Sequence, residues 1–153
     1  MLLYLEIYRR WAINSVIIVR DSLTLLLEAL TTQLSSEAMP FARVTLSSSS
    51  TIDAKDLGSK VSKAVASALG KPEAYMMVVI EPVVPPAVLL FGGSDEPAAM
   101  VGIESVGGSC SAVAEAVTKV LVEAGVGIDA SRVFVNLNAF PAKEWAMAGN
   151  TLG

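Results

Sequence analysis

The chain has 153 residues, a net charge of −4, no histidine and one cysteine, enough for one domain with a sizeable core. A hydrophobic content of 53% excludes a disordered chain, and the lack of a Lys/Arg stripe argues against a nucleic-acid partner. The single cysteine excludes an internal disulfide framework and fits a reducing compartment. The missing histidine removes Ser-His-Asp and Cys-His nucleophiles, histidine bases and the common zinc sites. With no GxxxxGK[ST] or GxGxxG pattern either, any catalysis must draw on carboxylates, lysines, hydroxyls or a chain terminus.

Residues 1–38 differ in texture from the remainder of the chain. They carry Trp11-Ala12-Ile13, Val16-Ile17-Ile18-Val19 and the run Leu23–Leu30 broken by Thr24 and Glu28. The stretch Trp11–Val19 lies between two arginines and includes Asn14 and Ser15, so it falls short of the roughly 20 apolar residues of a membrane span. A secretory signal begins basic and continues with a clean apolar run, and a transit peptide is poor in acids. Here Glu6, Asp21, Glu28 and Glu37 are spread through the segment. Three readings remain: an extension outside the working protein, with Met39 as the initiator; a targeting segment that is cut off; or a retained amphipathic helix over Ser22–Leu34. We adopt the first, which gives residues 1–38 as an extension and residues 39–153 as the domain.

Pro40–Ser47 reads as a strand with proline at its first position, where a missing N–H costs no ladder bond. Met39-Pro40 also reads as a start, because methionine before a small-ring residue is a usual substrate for methionine removal. Pro40 would then hold a free secondary amine. Ser47–Thr51 is a polar loop, and Asp53 suits a helix N-cap. Ile52, Leu57, Val61, Ala64, Val65, Ala68 and Leu69 recur at three- and four-residue spacing, which predicts one buried helix face. Gly70 and then Pro72 stop that helix. Tyr75–Pro82 is a run suited to a well-buried strand.

The pattern then repeats. Ala98–Val106 is a strand, Gly107-Gly108 a turn, and Ser109 or Ser111 the cap of a second helix whose apolar face is Val113, Ala116, Val117, Val120, Leu121 and Ala124. Gly125 ends it. Arg132–Asn138 is the closing strand, with Val133, Val135 and Leu137 alternating against Arg132, Phe134 and Asn136. Between the halves, Val88–Phe91 is a candidate short strand. Residues 139–153 are too few for a third unit and suit an edge strand offered to a neighbouring subunit. The expected fold is α+β: two β-α-β repeats forming a four-stranded sheet with both helices on one face. Val44, Leu46, Val78 and Ile80 alternate with neighbours hardly more polar, so two helices leave a second face to be covered, and an oligomer packed face inward is the expected answer.

Five blocks, Met39-Pro40-Phe41, Gly70-Lys71-Pro72-Glu73-Ala74-Tyr75, Phe91-Gly92-Gly93-Ser94-Asp95-Glu96-Pro97-Ala98, Ser105-Val106-Gly107 and Arg132-Val133-Phe134-Val135-Asn136, occur in this order. Together they resemble the macrophage migration inhibitory factor and D-dopachrome tautomerase family over residues 39 to about 150. The resemblance implies a homotrimer with an active site at each subunit boundary and no metal or cofactor. It implies keto–enol tautomerisation of a small aromatic keto acid, such as phenylpyruvate, or of dopachrome-like compounds. By position Pro40 matches the catalytic proline and Lys71 the lysine that holds the substrate carboxylate. Ser105 and Val106 match the pair beside the proline, and Asn136 the pocket asparagine from the adjacent subunit. Phe41 and Phe134 would be pocket walls. The alternative function it implies is a cytokine-like signalling or binding protein, with a protein receptor as partner and a vestigial pocket. The location it implies is cytoplasmic, or outside the cell without a signal peptide. Three departures stand out. Phe134 replaces the family's pocket tyrosine. Ala98-Ala99-Met100-Val101 stands where some members have Cys-x-x-Cys. The loop with Val84-Pro85-Pro86 is longer than usual.

The chemistry asked of these residues is one proton transfer from carbon to oxygen, which needs a base with a pKa near ambient pH. A free α-amine titrates near pH ~8, and burial beside a lysine lowers it further. Each residue also has a plainer explanation. Pro40 suits a strand edge. A lysine after a helix end is usually solvated and favourable beside the last carbonyls. An outward polar residue such as Asn136 is ordinary in an alternating strand. Phe41 and Phe134 suit core or interface. Asp95 and Glu96 are adjacent turn residues before Pro97 and do not form an acid–base pair.

Overall fold

The computed structural model describes residues 39–152. Residues from Ser36 onward form one compact unit. The expectations for residues 1–38, including a helix over Ser22–Leu34, lie outside the described residues.

The order is β1 (Phe41–Leu46), α1 (Ala54–Leu69), β2 (Met77–Pro82), β3 (Ala99–Ser105), α2 (Cys110–Glu123) and β4 (Val133–Ala139), followed by the two-residue strands β5 (Ala146–Met147) and β6 (Asn150–Thr151). The main sheet has four strands in the order β2-β1-β3-β4. β1 runs parallel to β2 and antiparallel to β3, and β3 runs parallel to β4. Each parallel pair is one β-α-β unit, and the antiparallel seam between β1 and β3 joins the halves.

The helices form for the reasons their sequences suggest. At the start of α1 the Asp53 carboxylate accepts from the backbone N–H groups of Lys55 and Asp56, both at 3.0 Å, which satisfies two of the four donors left open there. At its end Gly70 takes φ 65°, a left-handed conformation that glycine adopts without a Cβ penalty. Leu57, Val61, Val65 and Ala66 are buried on α1, and Val113, Val117 and Leu121 on α2. All of these but Ala66 meet Ala42, Val44, Leu46, Val101 and Ile103 of the central strands in one core. Among the described residues no helix is long and apolar enough to cross a membrane.

Five expectations need correction or refinement. The run Tyr75–Pro82, expected as a well-buried strand, is the partly exposed edge strand β2, which starts only at Met77 because Glu73–Tyr75 is a 3-10 turn. Val88–Phe91 is not a strand. Phe91 and Ser94 make a single bridge, exchanging bonds of 3.0 and 3.1 Å. Gly92 and Gly93, both at positive φ, turn the chain back before a ladder can grow. Ser109 occupies the N-cap position of α2 but makes no capping bond, because its hydroxyl pairs with that of Ser111 at 2.9 Å. The helix-free face of the sheet is more polar than the sequence pattern suggests. Thr45 donates to Glu81 at 3.0 Å, and Arg43 lies 3.8 Å from the same carboxylate. After β4, Ala146–Met147 and Asn150–Thr151 form a small ribbon of their own, with Ala146 opposite Thr151, and Phe140 and Trp145 meet edge to face at 6.2 Å just before it.

Candidate active site

The N-terminal end of β1 gathers residues from both halves. The Met77 N–H donates to the Pro40 carbonyl at 3.0 Å, and the Phe140 N–H to the Ser105 carbonyl at 2.9 Å. Phe41 is opposite Glu104 in the antiparallel seam, so the next pair outward is Pro40 with Ser105. Both are fully buried. Val106 follows and is half-buried. The Ser105 hydroxyl has no hydrogen-bond partner among the described residues.

Lys71 reaches this end through the terminus of α1. The Lys71 N–H donates to the Ala66 carbonyl at 2.9 Å and the Gly70 N–H to that of Ser67 at 3.1 Å, the paired closure of a helix ending in a left-handed glycine. Pro72 then directs the chain away from the helix, and a 3-10 turn at Glu73–Tyr75 leads into β2 beside Pro40. Burial lowers the Lys71 pKa from its ordinary 10.5, because a half-buried ammonium has lost part of its hydration.

The other proposed site residues lie elsewhere. Phe41 projects to the helix-free face, where the Arg43 guanidinium sits 5.7 Å from its ring centre. Phe41, Arg43, Gly102, Glu104 and Asn136 are among the residues lining a concavity of about 310 Å³ on that face. Asn136 is paired with Gly102 in the sheet, and a Cβ on Gly102 would sit 3.4 Å from the Asn136 Oδ1. That Oδ1 is buried and has no partner among the described residues. Phe134 is paired with Met100 and 58% exposed, beside an apolar hollow of about 190 Å³ shared with Leu90 and Phe91. At about 3.3 Å per residue, Asn136 lies some 10 Å along the strands from Pro40 and Phe134 some 17 Å. Within one chain, then, Pro40, Lys71, Ser105 and Val106 share one end of the sheet, whereas Phe134 and Asn136 do not join them.

Sequence reasoning missed the opposite end. The Arg132 side chain, 15% exposed, donates from Nε to the Pro97 carbonyl at 2.9 Å and from Nη2 to those of Glu96 at 2.9 Å and Ser94 at 3.4 Å. Its guanidinium also lies 5.3 Å from the Phe91 ring centre. The one signal was that Arg132 opens the block ending at Asn136 while its acceptors belong to the block ending at Ala98. Glu96, read only as a turn residue, has its carboxylate 3.5 Å from the same guanidinium.

The family described as macrophage migration inhibitory factor (MIF) matches residues 39–153. The chain belongs to that family. Among solved structures, it is 31% identical to the MIF homologue of Prochlorococcus marinus, with a TM-score of 0.64 and coverage of 74% of this chain and 99% of that one. The MIF of Toxoplasma gondii is 30% identical, with a TM-score of 0.61 and coverage of 72% and 98%. The MIF-like protein of Entamoeba histolytica shares the fold at 24% identity, with a TM-score of 0.64 and coverage of 74% and 98%. No curated protein matches the chain significantly. These MIF relatives consist almost wholly of the part shared with this chain. Among the described residues that part holds the core and two α-helices.

Proposed function

We propose that this MIF-family chain is a tautomerase that interconverts the keto and enol forms of a small aromatic 2-oxo acid, phenylpyruvate or a dopachrome-like compound, with Pro40 as general base. The observation that carries the reading is the placing of buried Pro40 and half-buried, desolvated Lys71 at one end of the sheet. The Pro40 nitrogen takes a proton from the carbon beside the substrate carbonyl. The C–H pair becomes the C=C bond, the carbonyl pair moves to oxygen, and the pyrrolidinium returns the proton to that oxygen. Lys71 holds the carboxylate and favours the enolate charge. A neutral base is needed, and burial together with the nearby ammonium disfavours the cationic form of the amine.

The reading needs a free nitrogen at residue 40. It therefore includes the proposal that residues 1–38 are an extension lost with Met39, leaving a protein that works in the cytoplasm or leaves the cell without a signal peptide. It also includes a homotrimer in which Asn136, Phe134 and Phe41, all on the helix-free face, serve the boundary with a neighbouring subunit.

The test is a chain beginning at Pro40, assayed for enol formation from phenylpyruvate. Pro40→Gly is expected to lower kcat/KM by about 100-fold or more, the usual share of a general base; undiminished turnover rejects proline as the base. The intact mass of the protein from its native source reports its first residue. A second reading, a cytokine-like binding protein with a receptor partner, is favoured by Phe134, whose exposed ring lacks the hydroxyl of the family's tyrosine. It predicts no turnover by the chain that begins at Pro40.

A further inference from the structure

Ser105 is 0% exposed, and its hydroxyl bonds to nothing among the described residues. A buried hydroxyl left unpaired lowers stability, and alanine would occupy the site without that cost. The neighbour across the seam is Pro40. The two residues turn their main-chain carbonyls away from each other, Pro40 toward Met77 of β2 and Ser105 toward Phe140 after β4. They therefore form a non-hydrogen-bonded antiparallel pair, the narrow kind, with Cα atoms about 4.5 Å apart and side chains in contact. While Pro40 is acylated by Met39, its nitrogen has no N–H to offer. A freed pyrrolidine has one N–H when neutral and two when protonated.

We infer that Ser105 is a positioning residue for Pro40: its Oγ accepts an N–H of the liberated amine, so that the lone pair turns toward the substrate and not toward the core. The inference rests on the reading of Pro40 as the base. A hydroxyl oxygen accepts more strongly from the ammonium than from the neutral amine, so the bond favours the protonated form and raises the amine's pKa above what burial alone would leave. The ionisable groups that the neighbouring elements bring to this end are Lys71 after α1, Glu73 and Tyr75 before β2, Cys110 at the start of α2, Glu104 on the opposite face of β3, and Lys143 and Glu144 after β4. None of them is changed by a substitution at Ser105.

The experiment follows the Pro40 amine by NMR titration in a chain beginning at Pro40 and labelled with ¹⁵N-proline, comparing wild type with Ser105→Ala. The alanine variant is expected to remain folded, while its amine pKa falls by about half a unit and the acid limb of kcat/KM moves with it. An amine pKa that stays within about a tenth of a unit overturns the inference. If the wild type turns over no 2-oxo acid but the shift is present, only the tautomerase reading fails. If the wild type is active and no shift is found, only the role of Ser105 fails.

Discussion

At the Leu46 end of the sheet, side chains supply donors to several loop carbonyls. Arg132 supplies the carbonyls of Ser94, Glu96 and Pro97. Ser48 supplies that of Val126 at 3.0 Å, and Ser50 that of Gly125 at 3.1 Å. The Ala98 N–H finds the Ser47 hydroxyl at 3.1 Å, and Asp53 caps α1. At the Pro40 end two hydroxyls are used differently. Among the described residues the Ser105 hydroxyl is buried without a partner, and Ser109 turns to Ser111 and leaves α2 without a side-chain cap. Burial also lowers the Lys71 pKa there. Satisfied polar groups hold a fold together, and buried polar groups left open cluster where a site does its work. On this contrast the first end is structural and the second is the one to search for chemistry.

The contrast is most exposed at Arg132. Arg132→Met keeps an unbranched side chain but removes the guanidinium over Phe91 and leaves the carbonyls of Glu96 and Pro97 without a charged donor. Hydrogen bonds to charged groups contribute about 1.5–3 kcal/mol each, and part of this network faces solvent, so a loss of about 3 kcal/mol is expected by urea unfolding. The pH dependence of kcat/KM should not move. A loss below about 0.5 kcal/mol, within the range of ordinary surface substitutions, would show that the Leu46 end does not depend on this residue.

Asp53 and Ser109 give a smaller, paired test, because each occupies the N-cap position of one of the two helices. Asp53→Ala removes an acceptor that serves two backbone donors and should cost about 1 kcal/mol. Ser109→Ala removes a hydroxyl that caps nothing and should cost only about a few tenths. Equal losses would mean that the two helix starts are more alike than their hydrogen bonds indicate. Thermal unfolding of the two single variants decides it.

The sequence foretold what depends on local periodicity and little that depends on distant partners. Leu57, Val61 and Val65 could be placed in the core because three- and four-residue spacing marks one face of a helix, and Gly70 before Pro72 marked its end. That four strands form one sheet followed from two similar units, whereas their order and the antiparallel seam between β1 and β3 did not. The cap expected of Ser109 or Ser111 is right in position, since Ser109 is the N-cap, but it lacks the capping bond because the two hydroxyls pair with each other. Arg132 was illegible because its acceptors lie 35 to 38 residues earlier, and no spacing rule links an arginine to the carbonyls of a remote loop. Pro40, Lys71, Ser105 and Val106 were named through the family blocks. Their meeting at one end of the sheet follows from register, whereas the displacement of Phe134 and Asn136 along β4 became visible only once Met100 and Gly102 were known to be their partners.

The smallest expected effect sits at Lys71, and its sign is what makes it useful. Burial lowers the folded-state pKa below 10.5, so between that lowered value and 10.5 the unfolded chain binds more protons than the folded one. Stability linked to this group therefore rises with pH across that window, and the ammonium's desolvation penalty is present in full below it. Lys71→Met removes the titration. The stability of the wild type relative to Lys71→Met should climb as pH is raised from neutrality toward 10.5, by a small amount because the side chain is only partly buried. A flat difference would mean that the lysine is as well hydrated in the folded chain as in the unfolded one. In a chain beginning at Pro40 the same proton loss should withdraw the partner of the substrate carboxylate, so kcat/KM should fall along an alkaline limb that begins below 10.5. That limb should vanish in Lys71→Met, whose remaining activity is low at every pH. If the limb persists in the variant, another group sets it. A carboxylate clamp and an ordinary half-buried surface lysine would both give the stability slope, but only the clamp ties that slope to turnover.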